Sequence, residues 1–325
     1  KEKLTFERFP DYWEGWRPKY FGKGIYQVIR ESATMKVLLQ NREIDYTDQW
    51  QGVKFYDEVE KFPGVKVYRD PQISALQVFL NGRNEFISNK DFRYALCYAF
   101  PYEDVLREVF MGRFPKMKGP LPASIWSHTS DLMVFNHDME KAREYFDKSG
   151  FSEGEVELGW VDVGIEERRR IGLIYQEKLA ELGINLRIDK IEWAALQDVT
   201  SKLETTPDTM IILRGIPYGD PDAYMYHHYH SSVWKTHPSY ISMCRYENAE
   251  VDKLLDQARE IVDIGKRTEL YVKAQKIIAE DAPAIYIHDG IREVAMQESV
   301  QGYSAFGNPS FYTSLNWRWN NWWRA

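Results

Sequence analysis

A chain of 325 residues, 44% hydrophobic and 28% charged, can bury the core of one large domain or two ordinary ones, which excludes a disordered protein. Its formal net charge of -7 excludes the basic surface that a nucleic-acid partner needs. No stretch has the apolar length of a membrane span.

The elements follow from periodicity, in chain order. Residues 4–9 read as a strand with no leader before it, and the chain begins at Lys1 rather than Met, so a processed or truncated product that starts inside a domain is expected. Residues 34–42 read as a helix, and 65–80 alternate as a strand. Residues 89–111 read as a helix opened by Ser88 or Asn89 as its cap. Within it, Cys97 is expected as a small buried apolar residue. Cys97 and Cys244 are the two cysteines, so one bridge remains open. Pro115, Pro120 and Pro122 with Gly112 and Gly119 form an extended connector. A short helix runs over 138–149, from Asp138 to a stop at Gly150.

Residues 155–191 carry the clearest pattern. Val156, Leu158 and Trp160 alternate; Ile171, Ile174, Tyr175, Leu179 and Leu182 recur at three- and four-residue steps; Ile184, Leu186 and Ile188 alternate again after Gly183. This is a βαβ unit with parallel strands. Arg168, Arg169 and Arg170, preceded by Glu166 and Glu167, are expected at an exposed helix start of mixed charge. A buried strand follows at Met210–Leu213. Helices are expected over 248–263 and 266–280, divided near Gly265, and a strand over 284–296. The segment from Tyr303 to Ala325 is strand-like and aromatic, with Trp317 and Trp319 on one face.

Composition adds 11 Trp, 21 Tyr and 16 Phe, which suits ring stacking on a ligand as well as a large core. No nucleophile elbow, phosphate loop or zinc-protease helix is present, and no carboxylates pair recognisably into an acid–base couple. The chain is therefore read as no enzyme and as having no cofactor. A domain division near 81–90 is expected, where a strand-rich opening gives way to helices.

Several segments together resemble the dipeptide, oligopeptide and nickel solute-binding proteins of ABC importers, solute-binding family 5. LTFERFPDYWEG at 4–15 resembles that family's L-x-R-N-P-x-Y-W-x-G, and LLQNREID at 38–45 its L-x-x-G-E-I-D. NKDFRYAL at 89–96 resembles D-x-R-V-R-Q-A-L, and DMEKAREYF at 138–146 resembles D-P-E-K-A-K-x-L-L. Leu182-Gly183-Ile184 before Ile191-Glu192-Trp193, then Asp220-Pro221-Asp222 and Ala282-Pro283, keep the family order.

The resemblance implies an α/β, periplasmic-binding-protein-like fold of type II, dipeptide-binding-like, with one complete lobe and a partial second. Residues 1–82 would be a partial first lobe, 83–295 the complete second ligand-binding lobe, and 296–325 a return to the first. It also implies capture of a peptide or peptide-like solute, an ABC permease as partner, and a periplasmic or extracellular, membrane-anchored location. An oligosaccharide or anionic solute is the alternative within the family, and a carbohydrate-active enzyme the alternative outside it.

The expected ligand-binding residues are Arg214, Gly215, Ile216, Pro217, Tyr218, Asp220, Trp193 and Tyr224. The loop from Arg214 to Asp222 leaves a buried strand, where α/β sheets bind ligands. Aligning Tyr218 and Pro221 with the family's A-D-Y-x-x-P puts Pro217 where relatives carry the aspartate that pairs with a ligand's amino group. Proline offers neither charge nor amide donor. Arg214 falls where relatives often have Trp. It either forks onto a ligand carboxylate or phosphate, or pairs internally with Asp220 or Asp222. Trp193 either stacks on a ligand or packs between lobes. His227, His228, His230 and His237 form a cluster read either as metal ligands, in line with the family's nickel carriers, or as part of an aromatic surface with Tyr224, Tyr226 and Tyr229; no metal site is assigned to it.

Overall fold

The computed structural model describes residues 3–216, 218–303 and 322–324. The chain forms two compact units, one of residues up to Pro71 together with those from Ile291 on, the other of Gln72–Gly290. The chain changes unit inside two long strands, between Pro71 and Gln72 and between Gly290 and Ile291. A shift in composition cannot mark a passage that falls within a continuous strand.

In the first unit, β1 (Lys3–Glu7) and β2 (Lys23–Gln27) pair antiparallel. Helices α1 (Ser32–Gln40) and α2 (Val53–Val59) bury Met35, Leu39, Phe55, Tyr56 and Val59 against Val65 and Val67. The latter belong to β3 (Val65–Leu80), which runs on into the second unit.

The second unit continues with α3 (Lys90–Ala99), capped by Asn89, whose side chain accepts from the amides of Asp91 and Phe92. The single helix expected over 89–111 is broken. Phe100 is extended because Pro101 follows it, and the chain restarts as α4 (Tyr102–Asp104) and a π-helical turn, Val105–Val109. Helix α5 (Met139–Ser149) begins at the Asp138 cap and ends at Gly150, whose φ of 79° suits glycine.

The βαβ unit forms as expected. Strand β4 (Glu157–Asp162), helix α6 (Glu166–Ala180) and strand β5 (Asn185–Lys190) follow in order, and β4 pairs parallel with β5. Arg168 corrects the expectation of an exposed helix start: it is buried, and burial pushes its guanidinium down to about 10, opposed by the charge of Asp162.

Helix α7 (Trp193–Val199) leads to β6 (Thr209–Gly215), then α8 (Pro221–Tyr229) and α9 (Ser231–Thr236). Helices α10 (Ala249–Glu260) and α11 (Ile264–Asp281) divide at Ile261–Asp263, where Asp263 caps α11, so Gly265 lies in its first turn. Strand β7 (Ala284–Gln297) returns to the first unit, where β8 (Val300–Gln301) pairs with β9 (Trp323–Arg324).

The five-stranded sheet has the order β5-β4-β6-β3-β7. Strand β4 is parallel to β5 and β6, and β3 is antiparallel to β6, so the carboxyl ends of β4, β5 and β6 share one edge with the amino-terminal part of β3's paired segment. Phe79, Met210, Ile212, Tyr224, Tyr229, Leu255 and Tyr271 pack in one core of this unit. Both cysteines are buried and free, which closes the question of a bridge. Trp317 and Trp319 lie outside the described residues; Trp322 is buried in the first unit with Met296 and Val300.

Candidate functional site

The carboxyl edge of the parallel strands collects the second unit's candidate residues. Strand β6 is buried along nearly its whole length and ends on Arg214 and Gly215. Gly215 lies opposite Ser74 of β3, and the Ile216 amide donates to Ile73 O at 3.3 Å. The backbone here is ladder, which holds the Arg214 side chain at a fixed position on the edge.

Arg214 is 8% exposed. Its Nε donates to Nε2 of His228 at 3.1 Å, and its guanidinium carbon sits 5.0 Å from the centre of the Tyr240 ring. His228 comes from α8, one helical turn after Tyr224. Its Nδ1 lies 2.6 Å from Tyr224 O, and since a carbonyl only accepts, that nitrogen carries the proton. Nε2 is then a lone pair facing Arg214. Burial, with the charge of Arg214, pushes the imidazole well below its ordinary value, so His228 is neutral. Phe79 stacks on the same ring and Cys244 Sγ donates to His228 O at 3.2 Å.

Trp193 opens α7 just past the end of β5 and is 44% exposed. Its ring meets Tyr240 edge-on with centroids 4.9 Å apart. Trp193, Tyr240 and Arg214 therefore form a continuous row. Tyr240 sits in a 3-10 turn, Tyr240–Ser242, whose start is capped by Ser239. Nothing in local sequence distinguishes it from the chain's other tyrosines, and its place in the row comes only from packing. Tyr218 is 49% exposed.

Other expected contacts turn out differently. Tyr224 has no exposed surface, and its hydroxyl accepts from Gln77 Nε2 at 3.1 Å, so it belongs to the core and supports His228 from beneath. Ile216 and Gly215 are buried. Asp220 caps α8 by accepting from the Asp222 amide at 2.9 Å, and its two oxygens take the Arg267 fork at 2.8 and 3.1 Å. A carboxylate so occupied is a structural group. Asp222 pairs with Arg259 at 3.2 Å. The internal alternative for Arg214, pairing with Asp220 or Asp222, is thus replaced by the bond to His228. Pro217 lies outside the described residues.

The histidines separate. His228 is the buried partner of Arg214, whereas His230 caps α9 through Nδ1, which accepts from the Ser232 amide at 3.2 Å, and stacks on Tyr226. Among the described residues no three His, Cys, Asp or Glu side chains are arranged to hold a metal ion.

The sequence profile of bacterial extracellular solute-binding proteins, family 5 Middle, matches residues 1–236. Among curated proteins, the chain is 28% identical over 277 residues to a probable D,D-dipeptide-binding periplasmic protein, DdpA, of Escherichia coli K12, covering 85% of this chain and 52% of that protein. It is 26% identical over 329 residues to the oligopeptide-binding protein AppA of Bacillus subtilis 168, covering 97% of this chain and 59% of that one. Among solved structures, DppA of Helicobacter pylori in complex with the peptide STSA superposes with a TM-score of 0.88 at 24% identity, covering 99% of this chain and 60% of that one. AppA of B. subtilis with a nonapeptide gives 0.85, also at 24%, covering 100% and 64%. The chain thus spans a little over half the length of the relatives it matches. The profile match over residues 1–236, most of the chain, places this protein in family 5 of the bacterial extracellular solute-binding proteins.

Proposed function

We propose that this chain supplies the ligand-capturing edge of an extracytoplasmic solute-binding protein that delivers a peptide or peptide-like solute to an ABC permease. The observation that carries this is the Arg214–Tyr240–Trp193 row at the carboxyl edge of the parallel strands, in a family whose relatives include peptide-binding proteins. An exposed indole and a fixed guanidinium are the groups such a face needs: one covers apolar ligand surface and the other fixes its orientation. In this reading the unit Gln72–Gly290 is the complete second lobe, the other unit belongs to the first, and the ligand is held without chemistry. The location is periplasmic or extracellular, with the protein anchored at the membrane. No helix among the described residues is long and apolar enough to cross a membrane.

Titration of the protein with di-, tri- and tetrapeptides, maltooligosaccharides and Ni2+, followed by tryptophan fluorescence, tests this. Saturable binding of peptides is expected, with the signal diminished in Trp193→Phe. Binding confined to sugars or to Ni2+, or turnover of a sugar, would overturn it.

A further inference from the structure

Four arginine side chains are buried among the described residues: Arg168, Arg214, Arg245 and Arg292. Two face a carboxylate of the fold, and a third spends its guanidinium Nη groups on oxygens. Arg292 donates to Asp70 at 3.0 Å, Arg168 lies in the field of Asp162, and Arg245 reaches four oxygens, of Ser239, Ser242, Thr200 and Thr206. Arg214 differs. Its hydrogen-bond partner among the described residues is a neutral imidazole, its other neighbour is the Tyr240 ring, and no described carboxylate lies within ion-pair distance. Unlike Arg245, Arg214 also has no acceptor for either Nη among the described residues, and a buried cation with neither counter-charge nor acceptors is costly unless something else supplies them.

The geometry also says how that charge approaches. His228 occupies the Nε edge, and the protonated Nδ1 on Tyr224 O keeps the acceptor nitrogen turned toward Arg214. Side-on docking of an oxyanion, which uses Nε and one Nη, is therefore closed. The end presenting Nη1 and Nη2 is left, and its two parallel N–H groups match the two oxygens of a carboxylate. Tyr240 holds the guanidinium plane from one side. The side chain is thus oriented before any ligand arrives, so little of the binding free energy is lost in ordering it.

We propose that Arg214 is the anchor for a carboxylate of the captured solute, held end-on through Nη1 and Nη2, so that the solute is recognised by an acidic group at this edge. The proposal rests on the solute-capture reading above and names the ligand chemistry it leaves open.

The test uses N-acetyl-trialanine as the free acid, its C-terminal amide, free trialanine, and inorganic phosphate, each titrated calorimetrically into the wild-type protein and into Arg214→Gln. In the wild type the acid binds about tenfold or more tighter than the amide, and Arg214→Gln brings the acid to the level of the amide. Arg214→Lys, which keeps the cation without the fork, falls between them and stands in if the Gln variant does not fold. Equal binding of acid and amide in the wild type, or an acid preference that survives in Arg214→Gln, removes Arg214 as the anchor while leaving solute capture intact. Phosphate displacing the acid at equal concentration reassigns the fork and overturns the carboxylate. Failure of every peptide to bind overturns both readings.

Discussion

At the scale of single residues, buried polar groups divide by whether the fold answers them. Arg245, 1% exposed, closes a network between α7's end and the Tyr240–Ser242 turn by donating to Thr200 O, Thr206 Oγ1, Ser239 O and Ser242 O. Arg245→Met removes the side-chain donor from Thr200 O, Thr206 Oγ1 and Ser239 O, while Ser242 O keeps the amide of residue 245, and a loss of about 3 kcal/mol is expected in urea unfolding. An unchanged midpoint and slope would show the network contributes nothing. The thiols make the opposite case. Burial pushes both Cys97 and Cys244 up to about 12, and neither is reachable from solvent. Thiol reagents are therefore expected to label neither in the native protein at pH 8 and both on denaturation. Cys97 could be read from the apolar helix face around it. The pairing of Arg214 with His228 could not, because the partners stand 14 positions apart on different elements and the choice among imidazole, Asp220 and Asp222 is made by packing.

At the scale of elements, caps and close approaches decide where segments start and how tightly they meet. Asn89 accepts from two amides of α3 and donates through Nδ2 to Ser149 O at 3.2 Å, tying that helix to the end of α5. Asn89→Ala is expected to cost about 1–2 kcal/mol by thermal unfolding, with Asn89→Asp recovering part of it. In β7 a Cβ on Gly290 would lie 1.9 Å from Ser74 Oγ and 3.0 Å from Ser74 O. Gly290→Ala should then destabilise by about 1–3 kcal/mol. Ser74→Ala in the same chain is expected to relieve only part of this, because the backbone oxygen stays in place; full recovery in that double variant would show that the hydroxyl alone was responsible. Helix caps such as Asp138 and Asn89 announce themselves in sequence. The break at Phe100 was concealed, since apolar residues continue past Pro101 at spacings that still fit a helix.

For the molecule as a whole, two neutral histidines set an acid limit on stability. His288 is buried against Phe110 and Phe114, and its Nδ1–H donates to Asp289 O at 2.8 Å. Burial, opposed by that hydrogen bond and aided by the charge of Arg168, pushes it down from 6.5 to about 4. His228 is lowered in the same direction. A histidine whose folded value lies below its unfolded one contributes its full stability above pH 6.5 and loses it as pH falls toward the folded value, because the unfolded chain takes up the proton first. Unfolding free energy should therefore drop between pH 6.5 and pH 4, with His288 contributing on the order of 3 kcal/mol of the fall. Comparing the pH profile of His288→Gln with wild type measures this share. Profiles that run parallel would remove His288 as a cause.

Periodicity along the chain determined the elements that depend on neighbours a few residues apart: the βαβ unit, the long strands β3 and β7, and helices α5, α10 and α11. It also carried the family resemblance, because those helix and strand ends are what the family's motifs mark. What only the tertiary structure decided is which charges meet. Arg168 lies inside rather than on an exposed helix start, Asp220 is taken by Arg267, Tyr224 is core, and Arg214 is left with a neutral partner beside Tyr240. Local spacing records the side of an element on which a residue stands. The electrostatic answer to a buried charge comes from elements distant in sequence, and only folding brings them together.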